Sequence, residues 1–266
     1  MRIVNKNMSG SWIKAKRPNI LVTNVCNLSC GGCSQQCGYI PKEKLWNIPV
    51  DQLEWNVKLL IDVRGEEHVR DLGIFGGEPT IHPKYDDLLK MLRQFKKISF
   101  QIYTNGIRRR QNKWNHTYNI VAKNKNSSIT FRPTSVAPQD IYKIEDKKFY
   151  WEKAQKDCDM YKKYCSIIYN NRAYFCEPAA AWDIMTGEDH GWPLKWGEDP
   201  FAVTDQQVEQ QAVNFCYRCG WCFSASDLKQ LGLKTQKVKD PSIVSEINLP
   251  LNKNKKTQEV KKYKIL

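Results

Sequence analysis

The chain has 266 residues, a formal net charge of +14 and ten cysteines. It contains no run of eighteen apolar residues, so no transmembrane helix is predicted, and residues 1–17 lack the apolar core of a secretory signal. We therefore expect a cytoplasmic protein. In that compartment, clustered thiols bind metal or take part in redox chemistry more often than they form disulfides.

The positive charge is concentrated at the two ends of the chain. Residues 1–17 carry five basic side chains and no acidic ones, and residues 229–266 carry ten lysines against three acidic residues. Such ends can contact nucleic acid or another polyanion, although solvated tails are the more common explanation. We expect a basic arm over 1–17 and a basic polar extension over 229–266.

Strands and helices alternate in the first half of the sequence. Buried strands are predicted at 19–25, 69–77, 98–106 and 127–136, where short apolar runs are bounded by turn residues. Between the first three strands, apolar side chains recur at helical spacing over 50–63 and 82–95. This order predicts parallel β/α units, which could close as a barrel or form an open doubly wound sheet.

The alternation stops near residue 145. Residues 146–165 are predicted to form one or two helices, and 166–176 to form a hairpin that turns at Asn170 and Asn171, a pair that tolerates left-handed backbone angles. Cysteines recur from here to residue 222. We expect one domain over 18–145 and a cysteine-rich second domain over 146–228.

The first cysteine cluster follows the first predicted strand. Cys26, Cys30 and Cys33 have the spacing C-x3-C-x2-C. Three thiolates can hold three irons of a four-iron, four-sulfur cluster and leave the fourth iron open, as a catalytic site requires. A zinc ion would need a fourth ligand, which Cys37 could supply, so the spacing alone leaves both metals possible.

Two further motifs end the next two strands. GGEP, at 76–79, follows the second strand, and TNG, at 104–106, follows the third. The carboxyl ends of parallel strands meet at one edge of a sheet, where β/α proteins bind their ligands. The three motifs in this order resemble the radical S-adenosylmethionine (SAM) superfamily over about residues 18–140.

The resemblance implies an α/β fold with a partial (β/α) barrel, in which Cys26, Cys30 and Cys33 hold a [4Fe–4S] cluster whose open iron binds SAM. It further implies that SAM is reductively cleaved to a 5′-deoxyadenosyl radical, with reduced flavodoxin or ferredoxin as the electron donor. The residues implied at SAM are Gly76, Gly77 and Glu78, at its methionine part, and Thr104 and Asn105, near its ribose or sulfonium.

A second set of cysteines lies in the region after residue 145. Cys165 and Cys176 flank the predicted hairpin, and Cys216 and Cys219 form a C-x-x-C pair. This set resembles the ligands of a Twitch cap, a shortened SPASM extension that follows some radical SAM barrels, and so implies an α+β cap with an auxiliary [4Fe–4S] cluster. A closed zinc site is the alternative. Cys222 could replace one of the four ligands, whereas Cys37 and Cys158 are expected to be bystander thiols.

The leading prediction is therefore a radical SAM enzyme of the oxidoreductase or isomerase type with two [4Fe–4S] clusters. Its substrate would be a sugar, a cyclitol, a nucleotide-linked molecule or a modified amino acid, and the auxiliary cluster would accept an electron or position the substrate. One alternative is modification of a nucleic-acid base adduct, which the basic ends and the arginines at 108–110 suggest. Another is a zinc-knotted nucleic-acid-binding protein without catalysis. Glu177, Asp183 and His190 could contact substrate, although most such residues only satisfy nearby backbone groups.

Overall fold

The computed structural model describes residues 18–27, 33–37, 40–69, 71–104, 118–122, 147–162, 166–219 and 221–223. The predicted strand at 127–136, both basic ends and the arginines at 108–110 lie outside these residues, as do Cys30, Asn105 and Cys165. Among the described residues, no helix is long and apolar enough to cross a membrane.

The described residues form seven strands and six α-helices. The strands are β1 (Asn19–Thr23), β2 (Asp71–Gly76), β3 (Ser99–Thr104), β4 (Tyr118–Ala122), β5 (Ile167–Tyr169), β6 (Arg172–Tyr174) and β7 (Trp192–Pro193). The helices are α1 (Val50–Arg64), α2 (Tyr85–Leu92), α3 (Lys147–Asp157), α4 (Asp159–Lys162), α5 (Glu177–Thr186) and α6 (Asp205–Phe215). The strands at 19–25, 69–77 and 98–106 and the helices at 50–63 and 82–95 are confirmed, with slightly different ends.

All seven strands belong to one mixed sheet in the order β4-β3-β2-β1-β5-β6-β7. The first five strands of this order are parallel, which confirms the predicted β/α units, and β6 and β7 run antiparallel to their neighbours. Because β5 pairs with β1, the sheet continues across residue 145. The division of the chain into two domains at that position stays a prediction.

The two faces of the sheet pack against different helices. On one face, Ile20, Val22 and Ile74 lie in a buried core with the apolar side chains of α1 and α2. On the opposite face, Leu21 and Phe75 lie in a second core with apolar residues of α3, α5 and α6. The alternation follows from the strand geometry, in which successive side chains point to opposite faces.

The hairpin formed by β5 and β6 confirms the predicted turn. Asn170 and Asn171 adopt positive φ angles of 42° and 61°, respectively. Two consecutive residues with positive φ match the twist of an antiparallel pair and are favoured in two-residue hairpin loops. The turn lies at the same end of the sheet as the carboxyl end of β1, because β5 is parallel to β1.

Candidate metal centres

The first candidate centre is the segment that follows β1. Cys26 and Cys33 are half-buried, and Cys37 is buried. Hydrogen-bonding contact with the Cys26 and Cys33 thiols, followed by burial, raises the pKa of the Cys37 thiol well above its usual value. The structure therefore brings a third described thiol to Cys26 and Cys33, where the sequence predicted a bystander. Cys30, the remaining residue of the motif, lies outside the described residues.

Gly76 and Gly77 hold the end of β2 against the backbone that leads to Cys26. The Gly77 N–H donates to the Thr23 carbonyl at 2.7 Å, and the Glu78 N–H donates to the Val25 carbonyl at 2.8 Å. A Cβ atom at Gly76 would lie 2.4 Å from the Thr23 carbonyl oxygen, and one at Gly77 would lie 2.2 Å from that of Val25. Only glycine fits such a close approach of two backbones.

The Glu78 carboxylate joins the ends of β2 and β3. Glu78 is fully buried, and its Oε1 accepts hydrogen bonds from the Thr80 N–H at 3.0 Å and the Thr80 Oγ1 at 2.6 Å. The same oxygen accepts a third bond, at 2.6 Å, from the Thr104 Oγ1. The GGEP motif and the threonine of the TNG motif therefore meet in one buried network next to the Cys26 segment.

The second candidate centre is an apolar cavity, partly open to the surface, that is lined by five cysteines. They are Cys158, Cys176, Cys216, Cys219 and Cys222, and the rest of the lining is almost entirely apolar. Three of the four predicted ligands are thus brought together, and the fourth, Cys165, lies outside the described residues. The sequence predicts Cys158 to be a bystander and Cys222 to be only a possible replacement ligand, whereas both line this cavity.

Burial governs the chemistry of these thiols. It raises the pKa of Cys176, Cys216 and Cys222 well above the usual value and raises that of Cys219 to about 12. Thiolates are the form that binds metal, and several of them cannot coexist in an apolar cavity without a compensating cation. This donor set therefore fits a bound metal ion or metal cluster.

Outside the two sets of thiols, one compact group of potential metal ligands lies among the described residues. It consists of Asp183, Glu188 and His190, whose ligand atoms all lie within 4.8 Å of one another.

The Asp183, Glu188 and His190 group is held together by protein hydrogen bonds. Asp183 accepts from the His190 backbone N–H at 2.7 Å and from the His190 ring Nδ1 at 2.9 Å. Because a carboxylate only accepts, Nδ1 carries a proton. Glu188 receives two bonds from the Arg218 guanidinium, at 2.8 and 3.1 Å. The predicted cap residues Asp183 and His190 therefore lie together, with both carboxylates already bonded by side chains of this chain.

Glu177 lies elsewhere, at the first candidate centre. Its Oε2 accepts hydrogen bonds from the Ser34 Oγ at 2.9 Å and the Gln35 Nε2 at 3.3 Å. Ser34 and Gln35 lie between Cys33 and Cys37 in the sequence. No motif pointed to these two residues, because their importance depends on a partner more than 140 positions away.

The chain matches the model of a known protein family. The model of the family described as the radical SAM superfamily matches residues 20–170, which is more than half of the 266 residues. A search of curated proteins finds no match to this chain. The matched range contains the first cysteine segment, the GGEP and TNG motifs, all but the first residue of β1, and the strands from β2 to β5.

Proposed function

Because the chain belongs to the radical SAM superfamily, we propose that it is an enzyme in which Cys26, Cys30 and Cys33 hold a [4Fe–4S] cluster that binds SAM. Membership supports the general chemistry, which comprises reductive SAM cleavage, an electron donor and a small-molecule substrate. When bound, the cluster and SAM supply a 5′-deoxyadenosyl radical that abstracts a hydrogen atom, while the protein orients the reactants and excludes water.

The observation that carries this proposal is the junction of the three motifs at the carboxyl ends of β1, β2 and β3. Gly77 and Glu78 bind the backbone next to Cys26, and Glu78 binds Thr104. In the proposed site, the backbone at Gly76 and Gly77 and the Glu78 carboxylate would hold the methionine part of SAM. Thr104 and Asn105 would lie near its ribose or sulfonium.

The cysteine-lined cavity is the proposed auxiliary [4Fe–4S] site of a Twitch-like cap within a partial-barrel enzyme. Its ligands come from Cys165, Cys176, Cys216 and Cys219, with Cys158 and Cys222 as further candidates because they line the same cavity. A closed zinc site formed by the same thiols is the alternative. The auxiliary cluster would accept an electron from a substrate radical or position the substrate.

The proposed substrate is a sugar, a cyclitol, a nucleotide-linked molecule or a modified amino acid, and the proposed electron donor is reduced flavodoxin or ferredoxin. The two nucleic-acid alternatives depend on the basic ends and on the arginines at 108–110, all outside the described residues. No contact within the described part of the chain favours them.

Anaerobic purification and metal analysis test the proposal. We expect a brown protein with about eight irons per chain, corresponding to two four-iron clusters, that forms 5′-deoxyadenosine from SAM on reduction. Replacing Cys26, Cys30 and Cys33 together by alanine should abolish this product and leave about four irons. Colourless protein that holds zinc and forms no deoxyadenosine would contradict the proposal and favour the zinc-knotted binding protein.

A further inference from the structure

The segment between Cys33 and Cys37 is polar yet buried. Ser34 and Gln35 are 9% and 3% exposed, respectively, and Gln36 is fully buried with a positive φ of 51°. The Gln36 N–H donates to the Cys33 carbonyl at 3.1 Å, so the backbone turns tightly here. Buried polar side chains require hydrogen-bonding partners within the protein, and these partners determine how the segment is held.

Glu177 is the partner that reaches this segment from the second half of the chain. It is 5% exposed, and its Oε2 accepts from both Ser34 and Gln35. Hydrogen bonds to a carboxylate are stronger than those between neutral groups, and removal of a buried acceptor leaves its donors unsatisfied. The position of the Cys33–Cys37 segment therefore depends on the position of Glu177.

Glu177 is also the first residue of α5 and follows Cys176 directly. Cys176 is the N-cap residue of α5. A metal bound at Cys176 thus fixes the same helical turn that carries the Glu177 carboxylate. On the other side, Ser34 follows Cys33 directly. The 2.9 Å hydrogen bond between Ser34 and Glu177 therefore joins the residue after Cys33 to the residue after Cys176.

We propose that Glu177 is a positioning residue that couples the two metal centres. Metal binding at the cysteine-lined cavity fixes the first turn of α5. Through its hydrogen bonds, Glu177 in that turn then holds the segment between Cys33 and Cys37 in place. The coupling is reciprocal, so that occupation of the first centre also favours metal binding at the second. This inference rests on the proposed function for the identity of the first centre.

A thermodynamic cycle tests the coupling, with the affinity for SAM as the measured quantity. The affinity is obtained by titrating the protein with SAM and following the EPR spectrum of the reduced first cluster. The second centre is removed by replacing Cys216 and Cys219 with serine, in the natural chain and in Glu177→Ala. In the natural chain we expect this removal to weaken SAM binding about tenfold, within the usual range of coupling between sites. In Glu177→Ala, SAM binding should already be weaker, because the coupling is lost. Removal of the second centre should then change the affinity for SAM by less than about twofold.

Two further variants separate coupling from a general loss of structure. Glu177→Gln keeps an amide oxygen that accepts from both donors, so we expect it to restore the coupling. Glu198→Ala removes another carboxylate of the second half of the chain, an exposed one that pairs with Lys195, and should leave the coupling unchanged. The proposal would be overturned if removal of the second centre weakened SAM binding equally with and without Glu177. It would also be overturned if Glu177→Gln behaved like Glu177→Ala.

Hydrogen exchange provides a test that does not depend on SAM chemistry. The chain with Cys26, Cys30 and Cys33 replaced by alanine is loaded with metal at the second centre, and exchange is measured over residues 34–37. Metal binding at the second centre should slow hydrogen exchange over residues 34–37 when Glu177 is present. It should leave the exchange rate unchanged in the Glu177→Ala variant. Equal slowing in both backgrounds would refute the coupling even if SAM cleavage is intact. Slowing only with Glu177 would support the coupling even if the proposed radical chemistry fails.

Discussion

Cys37 is the residue at which a zinc site and an open iron–sulfur cluster differ most. It is only 1% exposed and contacts both Cys26 and Cys33. A zinc site formed by this segment would need Cys37 as its fourth ligand. A cluster that binds SAM requires the fourth position to remain free of protein ligands. The buried thiol would then have a packing role beside the centre.

Replacement of Cys37 by alanine is the corresponding prediction. We expect the variant to keep the iron of the first centre and to form deoxyadenosine at a rate within about threefold of that of the natural chain. The small cavity left by the sulfur should reduce the free energy of unfolding by about 1 kcal/mol. Iron content and deoxyadenosine formation measure the result, with Cys33→Ala as the inactive control. Loss of the first metal in Cys37→Ala would show that Cys37 is a ligand.

At the scale of elements, the packing of the end of β2 on the end of β1 determines where Cys26 lies. In Gly77→Ala, the new methyl group would meet the Val25 carbonyl carbon and oxygen, which are backbone atoms that cannot rotate away. We expect a loss of about 1–3 kcal/mol in the free energy of unfolding, typical of overpacking, and a displaced Cys26 that no longer assembles the first centre. Urea unfolding of the metal-free protein and iron analysis measure the two effects.

Gly65→Ala is the matched control for Gly77→Ala. Gly65 has a positive φ of 82° at the end of α1, and its added methyl group would meet mainly the Glu67 side chain, which can move. This variant should be destabilised by about 1–3 kcal/mol, because other residues rarely adopt this backbone conformation, and should keep its full iron content. If both variants kept full iron content, the glycine contact would not be what positions Cys26.

A second element-scale prediction concerns His82, which ties the loop before α2 to the backbone before α1. The Lys84 N–H donates to its Nδ1 at 3.0 Å, so Nε2 carries the proton and donates to the Ile48 carbonyl at 3.0 Å. Burial is the main cause that lowers the pKa of His82 below its ordinary value of 6.5. As the pH falls through 6.5, the unfolded chain gains a proton that the folded protein does not, so folding loses stability.

We therefore expect the free energy of unfolding of the metal-free chain to decrease between pH 7.5 and pH 5.5, and His82→Gln to show a smaller decrease. Urea unfolding at the two pH values measures the difference. An equal pH dependence in both proteins would mean that His82 titrates normally in the folded state.

The elements that could be predicted from the sequence are those with a short apolar run bounded by turn residues, with apolar side chains at helical spacing, or with a distinctive turn pair. The alternating strands and the apolar stripes of α1 and α2 were predicted in this way, and the Asn170–Asn171 pair predicted the hairpin. Helix α5 was missed because nine of its ten residues are buried, so its sequence carries no polar face. Helix α6 begins with a capping box between Thr204 and Gln207, a pattern present in the sequence that the prediction did not use.

At the scale of the whole molecule, local motifs could be predicted from the sequence, whereas contacts between residues far apart in the chain could not. C-x3-C-x2-C, GGEP and TNG are local patterns whose meeting follows from parallel strands. The five thiols of the cavity come from the end of α3, the start of α5 and the segment after α6. Their convergence, like the contact of Glu177 with Ser34, depends on the packing of α5 over the sheet, which local patterns do not specify.

The sheet also bears on how the chain unfolds. Strand β5 adds to β1 through the pairs Asn19–Ile167 and Ile20–Ile168, and the Asn19 N–H donates to the Ser166 carbonyl at 3.0 Å. Arg64 at the end of α1 binds Asp199 with two bonds, of 2.7 and 2.9 Å. Residues on both sides of position 145 therefore share one sheet and two cores.

We expect the metal-free chain to unfold in a single transition in which far-ultraviolet circular dichroism and tryptophan fluorescence coincide. Ile168, which is fully buried between β1 and β6, tests this cooperativity. Its replacement by alanine should reduce the free energy of unfolding by about 2–5 kcal/mol while the two probes still coincide. If the variant instead unfolded in two steps, with residues after 145 lost first, the segments on either side would be separate folding units. The shared sheet would then be a docking contact between them.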